Sequence, residues 1–101
     1  MPAKNGMRPV HPGEVLREEL RTLDLSANAL SKALDVPVNR VTAILNGQRG
    51  VTADTALRLA RYFGTTATVW LNLQQTYDLR RAEIAVGQRI AECVRPRNTA
   101  A

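Results

Sequence analysis

The sequence predicts an all-α domain of five helices followed by a C-terminal helical extension. Aromatic residues make up only 4% of the chain, and the β-branched and aromatic runs typical of strands are absent. Apolar residues instead recur at spacings of three and four, the period of an amphipathic helix. The predicted ends of these helices are marked by serine, threonine, proline and glycine. With 101 residues, a single domain with one modest core is the natural expectation.

The N-terminal part predicts a flexible tail and then a first helix. Residues 1–10 contain prolines and a glycine without periodicity, so we expect a flexible tail there. The segment His11-Pro12-Gly13-Glu14 opens the helix, because proline is tolerated in a first turn and Glu14 complements the positive helix end. We expect His11 to help cap this helix or to lie on the surface, and not to act as a ligand or base. The apolar face of the first helix is predicted to comprise Val15, Leu16, Leu20 and Leu23.

Two short helices are predicted next, separated by a turn. Ser26 is a good N-cap for the first of them, which runs to about Leu34. Asp35-Val36-Pro37 then breaks the pattern, because proline disfavours a helical conformation in the residue before it. The following helix runs from about Pro37 to Asn46 and stops at Gly47, a typical left-handed helix end. The side chains predicted to face inward are Ala29, Leu30, Ala33, Leu34, Val41, Ile44 and Leu45, and those predicted to face outward are Asn39, Arg40, Thr42 and Ala43.

The remaining chain is predicted to be helical after a loop at residues 48–50. Thr52 caps a helix over residues 53–63, and Thr65 or Thr66 caps the next. Trp70, Leu73 and Tyr77 share one face of that helix, which is expected to join the core or, alternatively, to form a dimer interface.

The division into segments follows from this pattern. A helix-turn-helix domain is expected at 11–79, with its motif at 26–46, and a helical extension with a disordered tail at 80–101. Residues 79–94 are compatible with helix although Gly87 disfavours it, and disorder is expected from Pro96 onward.

The charge of the chain favours a polyanionic partner. Fourteen lysines and arginines stand against nine acidic residues, giving a net charge of +5, and twelve of the fourteen are arginine. The planar arginine fork can bond two phosphate oxygens at once. Such a surplus is common in soluble proteins, so charge alone does not establish nucleic-acid binding.

Composition also disfavours several functional classes. The single cysteine, Cys93, cannot form an intramolecular disulfide, and we expect it to be semi-buried. With His11 as the single histidine, the chain offers no catalytic or metal-binding cluster, so no metal, no cofactor and no enzymatic activity are expected. No apolar run reaches membrane-spanning length and no signal-peptide core is present, which predicts a cytoplasmic protein.

The pair of helices at 26–46 has the spacing of a helix-turn-helix. In such a motif the second helix enters the major groove, while the N-terminus of the first presents backbone amides to a phosphate. Helical hairpins also occur in many proteins that never touch DNA. The spacing alone therefore leaves open a module that binds only proteins.

A family resemblance narrows these alternatives. Residues 25–63 resemble the helix-turn-helix of the lambda-repressor/Cro superfamily. The segments HPGEVLREEL, LNGQRGVT, ADTALRLARYFGT and WLNLQQTYDL resemble the HigA (VapI-like) antitoxins of type II toxin–antitoxin modules. The resemblance implies a homodimer that binds double-stranded operator DNA, represses its own operon and neutralises a HigB-type ribonuclease toxin. A stand-alone regulator without a toxin, or a protein-binding helical module, is the alternative.

The resemblance also implies which residues contact DNA. Five residues fall at groove-facing positions and are expected to contact bases: Val38, Asn39, Arg40, Thr42 and Ala43. Five others fall where the family contacts phosphates: Ser26, Asn28, Asn46, Gln48 and Arg49. Ala27, Val38 and Asp35 depart from the residues common in the wider superfamily. With Val38 and Ala43 suited to thymine methyl groups, polar readout is expected from Asn39 and Arg40.

Overall fold

A computed structural model describes residues 8–97, which form five α-helices and no strand. This arrangement confirms the all-α prediction. The helices are α1 (Pro12–Leu23), α2 (Ala27–Leu34), α3 (Val38–Leu45), α4 (Ala53–Phe63) and α5 (Ala67–Cys93). The tails predicted at the two ends lie partly outside the described residues, and residues 8–10 and 94–97 form no regular structure.

The start of α1 is fixed by a reciprocal pair of side-chain hydrogen bonds. His11 Nδ1 accepts from the Gly13 amide at 2.8 Å, and Glu14 accepts from the His11 amide at 3.3 Å, which together form a capping box. The expectation that His11 caps the helix is therefore confirmed. Glu14 also receives two hydrogen bonds from Arg8, at 2.8 and 2.9 Å. The Arg8 hydrogen bonds, followed by the His11 amide, lower the pKa of Glu14 to about 2.

The turn between α2 and α3 follows the predicted breaks. Asp35 ends α2 in the left-handed conformation, with φ of 59° and ψ of 51°, a region that aspartate tolerates better than most residues. Pro37 is the N-cap of α3, and Gly47 adopts a φ of 74° just after its end. The end of α2 and the start and end of α3 were thus predictable from local chemistry.

All five helices contribute to one hydrophobic core. Trp70 of α5 is 4% exposed, and its Nε1 donates to Thr65 Oγ1 at 3.0 Å. Its ring lies 6.0 Å from that of Phe63 at the end of α4. The buried apolar side chains are Leu16, Leu20, Leu30, Leu34, Val41, Ile44, Val51, Ala56, Leu59 and Trp70.

The N-terminus of α1 lies directly against the backbone of α3. A Cβ added at Gly13 would stand only 1.9 Å from the carbonyl oxygen of Ile44. No side chain fits there, so glycine permits an approach that fixes α3 relative to α1.

Some inward-facing predictions were wrong. Leu23 is 51% exposed because it lies in the last turn of α1, beyond the core. Ala33 is exposed while Ser31 is buried at 3%, so the buried stripe of α2 includes Ser31 instead. The Ser31 hydroxyl donates to the Asn28 carbonyl at 2.7 Å, and this bond satisfies its polar atom inside the core.

Helix α5 is longer than predicted. It runs without interruption through Gly87 and across the predicted boundary at residue 80. A single glycine costs a helix only about 1 kcal/mol, which the flanking residues offset. Cys93, predicted to be semi-buried, is exposed because the last turns of α5 project away from the core.

Candidate nucleic-acid interface

One face of α3 is buried and the opposite face is open. Val41 and Ile44 are 2% and 1% exposed and anchor the helix on the core. Asn39 is exposed and Thr42 and Ala43 are half-buried on the opposite side, as predicted from the helical period. Small and polar side chains on the open face allow a close approach to another surface.

Val38 and Arg40 lie at the two edges of this open face. Val38, in the first turn, is 43% exposed. Arg40 lies on the edge beside α4, and its side chain is only 25% exposed. All five predicted base-contacting residues are therefore carried by α3, but Arg40 is the most restrained of them.

The helix N-termini of the motif are free to receive anions. Ser26 Oγ accepts from the Ala29 amide at 3.0 Å, and no acidic residue occupies the first turn of α2. At α3, Pro37 provides no side-chain hydrogen bond to the amides. The positive ends of both helices are thus unopposed by a carboxylate in the first turn. Asn28, the second predicted phosphate contact on α2, is exposed.

The segment after α3 is exposed, and a side chain of α1 forms hydrogen bonds with its start. Asn46, Gln48 and Arg49 are all exposed. Arg17 Nη2 donates to the Leu45 carbonyl at 3.1 Å and to Asn46 Oδ1 at 3.3 Å. Arg17 thereby satisfies the C-terminus of α3 and orients one of the predicted phosphate contacts. The sequence pattern indicates no such role for Arg17, since a contact 28 residues away leaves no local signal.

An ionic network links α3, α4 and the turn of the motif. Asp54 Oδ1 accepts from Arg58 Nε at 2.7 Å and from Arg40 Nη1 at 3.0 Å. Arg58 Nη1 also donates to the carbonyls of Leu34 and Asp35, at 2.8 and 3.1 Å. The hydrogen bond from Arg58, aided by its charge and by Arg40, lowers the pKa of Asp54, so its carboxylate is ionised at neutral pH. Sequence reasoning missed this network, although Asp54 and Arg58 have the i, i+4 spacing of a helical ion pair.

The three residues predicted at a dimer interface lie on or beside the face of α5 that meets the domain. Trp70 belongs to the core and offers little surface to a second chain. Tyr77 is half-buried, with its ring in edge contact with His11 at 4.8 Å. Leu73 is half-buried and lies at the margin of this face.

An apolar groove of about 640 Å³ adjoins that margin. The segment Arg8–Val10 forms one wall, and α5 forms the other. Val69 and Leu79, which both line this groove, are 48% and 59% exposed, so the groove presents open apolar surface. The α5 side chains that line it are Val69, Asn72, Leu73, Thr76, Leu79, Arg80 and Glu83.

The described part of the chain holds neither a metal-binding cluster nor a membrane-spanning helix. Residues 8–97 hold no group of three or more His, Cys, Asp or Glu side chains placed to bind a metal ion. Within the same range, none of the helices combines the length and apolarity needed to cross a bilayer.

Known proteins resemble this chain in sequence and structure. Residues 16–70 match the helix-turn-helix family. Virulence-associated protein I of Dichelobacter nodosus is 59% identical over 81 residues, which cover 79% of this chain and 75% of that protein. An addiction module antidote protein of the HigA family from Coxiella burnetii has a TM-score of 0.89 and 60% identity, covering 90% of this chain and 100% of its own. The Pseudomonas aeruginosa antitoxin HigA, solved with the higBA promoter, has a TM-score of 0.86 and 48% identity. The match covers 88% of this chain and 98% of that antitoxin chain. The chain thus belongs to the HigA/VapI-like antitoxins of the helix-turn-helix family.

Proposed function

We propose that this protein is a homodimeric antitoxin that binds the operator of its own operon through α3 and represses transcription. The observation that carries the proposal is the open face of α3, formed by small and polar side chains opposite the buried Val41 and Ile44. The Pseudomonas relative bound to the higBA promoter supports DNA as the ligand. The names of the relatives describe antitoxins, which supports a binding function and not catalysis.

The side chains of α3 suit particular base edges in the major groove. Asn39 is matched to the N6 and N7 atoms of adenine, and Arg40 to the O6 and N7 atoms of guanine. Val38 and Ala43 are apolar and suit thymine methyl groups, while the Thr42 hydroxyl can donate or accept. Because the Thr42 hydroxyl lies 3.3 Å from the Asn39 carbonyl, its rotamer is already restrained.

The proposed phosphate contacts lie at the N-terminus of α2 and beyond the end of α3. Ser26 and Asn28 lie at the N-terminus of α2, where amides and the helix dipole favour an anion. Asn46, Gln48 and Arg49 lie beyond the end of α3. These contacts fix the position of the domain on the duplex and carry no sequence information of their own.

A second copy of the chain would cover the apolar groove beside α5. Val69, Leu73 and Leu79 provide its apolar floor, and Arg80 and Glu83 lie at its end. The groove replaces Trp70 and Tyr77 as the proposed centre of the dimer interface, because those two side chains face the domain itself. In a dimer of this kind the two copies of α3 should lie about 34 Å apart, one turn of DNA.

Binding to the upstream DNA tests the proposed contacts. Asn39→Ala and Arg40→Ala should each weaken binding to the operator by about 5- to 150-fold, the range for loss of one base contact. Arg61→Ala is the matched control for Arg40→Ala, because it removes the same charge from an exposed position on α4. Equal losses for Arg61→Ala and Arg40→Ala would mean that Arg40 contributes charge only.

Light scattering after gel filtration tests the proposed dimer. Leu79→Asp should yield monomers and weaken operator binding, since an aspartate in an apolar interface costs several kcal/mol. Leu57→Asp is the control, because Leu57 is 64% exposed on α4, outside the groove. A Leu79→Asp protein that stays dimeric would exclude the groove as the interface.

The toxin partner rests on the family alone. Co-expression with a HigB-type toxin should restore growth and yield a co-purifying complex. The Asn39→Ala, Arg40→Ala double variant should retain this protection while losing operator binding. Failure of the unaltered protein to bind or neutralise that toxin would favour a stand-alone regulator.

A further inference from the structure

The guanidinium of Arg40 does not project freely toward the open face of α3. Its Nη1 donates to Asp54 Oδ1 at 3.0 Å, across the gap between α3 and α4. The Arg40 side chain is 25% exposed, whereas that of Asp54 is 59% exposed. Asp54 is thus the more exposed partner of the pair, and because it bonds Nη1 it can orient the guanidinium.

Asp54 is itself held in place by a second arginine. Arg58 Nε donates to the same oxygen at 2.7 Å, and its Nη1 is bonded to the carbonyls that end α2. A continuous chain of hydrogen bonds thus runs from the helix-turn-helix turn through Arg58 and Asp54 to Arg40. We propose that Asp54 is a positioning residue that holds the guanidinium of Arg40 in the orientation used to read a guanine.

The donor inventory of arginine permits both roles at once. A guanidinium carries five N–H donors, and Asp54 engages one nitrogen. Donors remain for two hydrogen bonds to the O6 and N7 atoms of a guanine. A free arginine side chain would lose rotamer entropy on binding, and the existing ion pair removes part of that loss before DNA arrives.

Two effects of Asp54 on DNA binding oppose each other. As a carboxylate it repels phosphates, and that repulsion would act on every DNA sequence alike. As a positioning group it would favour only duplexes with the correct base opposite Arg40. The two Arg side chains bonded to Asp54 offset its charge, so we expect positioning to dominate at the operator.

The test compares operator and scrambled duplexes, and operators with single base-pair replacements, by fluorescence anisotropy. Asp54→Asn keeps the size of the side chain and removes its charge. It should weaken operator binding about two- to fivefold, the range for an exposed ion pair, and leave scrambled-DNA binding equal or tighter. The loss of base preference should fall on one base pair of the operator. This should be the same base pair whose replacement no longer affects binding of the Arg40→Ala protein. Asp78→Asn is the matched charge control on α5, and it should leave that base preference intact.

A double-mutant cycle separates positioning from a purely structural role. In the Arg40→Ala background, Asp54→Asn should cause no further loss of discrimination, because its effect passes through Arg40. An equal loss in both backgrounds, or an equal gain for operator and scrambled DNA, would overturn the inference. The inference rests on the proposed function, and Arg40→Ala distinguishes the two failures. If Arg40→Ala keeps full discrimination, the base contact and the inference both fall; if it loses discrimination while Asp54→Asn does not, only the inference falls.

Discussion

Gly13→Ala tests the claim that contact between the backbones of α1 and α3 fixes the position of the recognition helix. The added Cβ would lie 1.9 Å from the Ile44 carbonyl oxygen and 2.9 Å from its carbon. Ordinary C···O contacts are about 3.3 Å or longer, so the two helices must separate by about 1.4 Å. Overpacking of this kind costs about 1 to 3 kcal/mol, and alanine regains little helix propensity at the second residue of α1. The expected net loss is about 2 kcal/mol, or about 10 °C in Tm.

Urea unfolding, followed by circular dichroism and by the fluorescence of the single tryptophan, measures this loss. Trp70 is buried at 4% exposed, so its emission reports on the core. Protein concentration must be held fixed, because association stabilises the folded state. Gly87→Ala is the matched control: the nearest atom to its added Cβ is Glu83 Cβ at 3.9 Å, so stability should stay equal or rise. A Gly13→Ala protein as stable as the unaltered one would refute the close contact between α1 and α3.

Three further substitutions test the capping and packing of the domain. Glu14→Gln should flatten the pH dependence of stability below about pH 5. The Glu14 carboxyl, with a pKa lowered from 4.5 to about 2, stabilises the fold above pH 4.5 and loses that contribution as pH falls toward 2. Thermal melts in which Tm falls with acid equally in both proteins would contradict this. Gln74→Ala should lower the free energy of unfolding in urea by about 1–3 kcal/mol, because the Val51 amide loses the hydrogen bond that Gln74 Oε1 accepts at 2.7 Å. A loss near zero would mean that water replaces the side chain. His11→Ala should lower the free energy of unfolding by about 2 kcal/mol in the same assay, because it removes the hydrogen bond to the Gly13 amide and the ring contact with Tyr77. His11→Asn should recover the part of this loss that is due to the helix cap.

Local chemistry allowed much of the fold to be predicted from the sequence. Ser26, Thr52 and Thr66 cap helices through bonds to amides three residues away, so the pattern is visible in a short window. The left-handed end at Asp35 and the break at Pro37 were predictable for the same reason. The open face of α3 followed from the helical period combined with the family resemblance.

Long-range contacts were not predictable. Arg17 and Arg58 give no local sign of a structural role, yet each donates to a backbone carbonyl more than 20 residues away. Ser31, and not Ala33, belongs to the buried stripe of α2, because its hydroxyl donates to the Asn28 carbonyl in the preceding turn. The hydrophobic pattern alone does not reveal such a hydrogen bond. The sequence pattern left open whether Trp70 joins the core or an interface, and the packing of α5 against α4 places it in the core.

Binding of the purified full chain to its own upstream DNA, against a scrambled duplex over a salt series, tests the central claim most directly. The account predicts binding to the upstream sequence that is at least about 1,000-fold tighter than to scrambled DNA and falls steeply as salt rises. Equal, weak binding to both duplexes at every salt concentration would contradict operator recognition by α3.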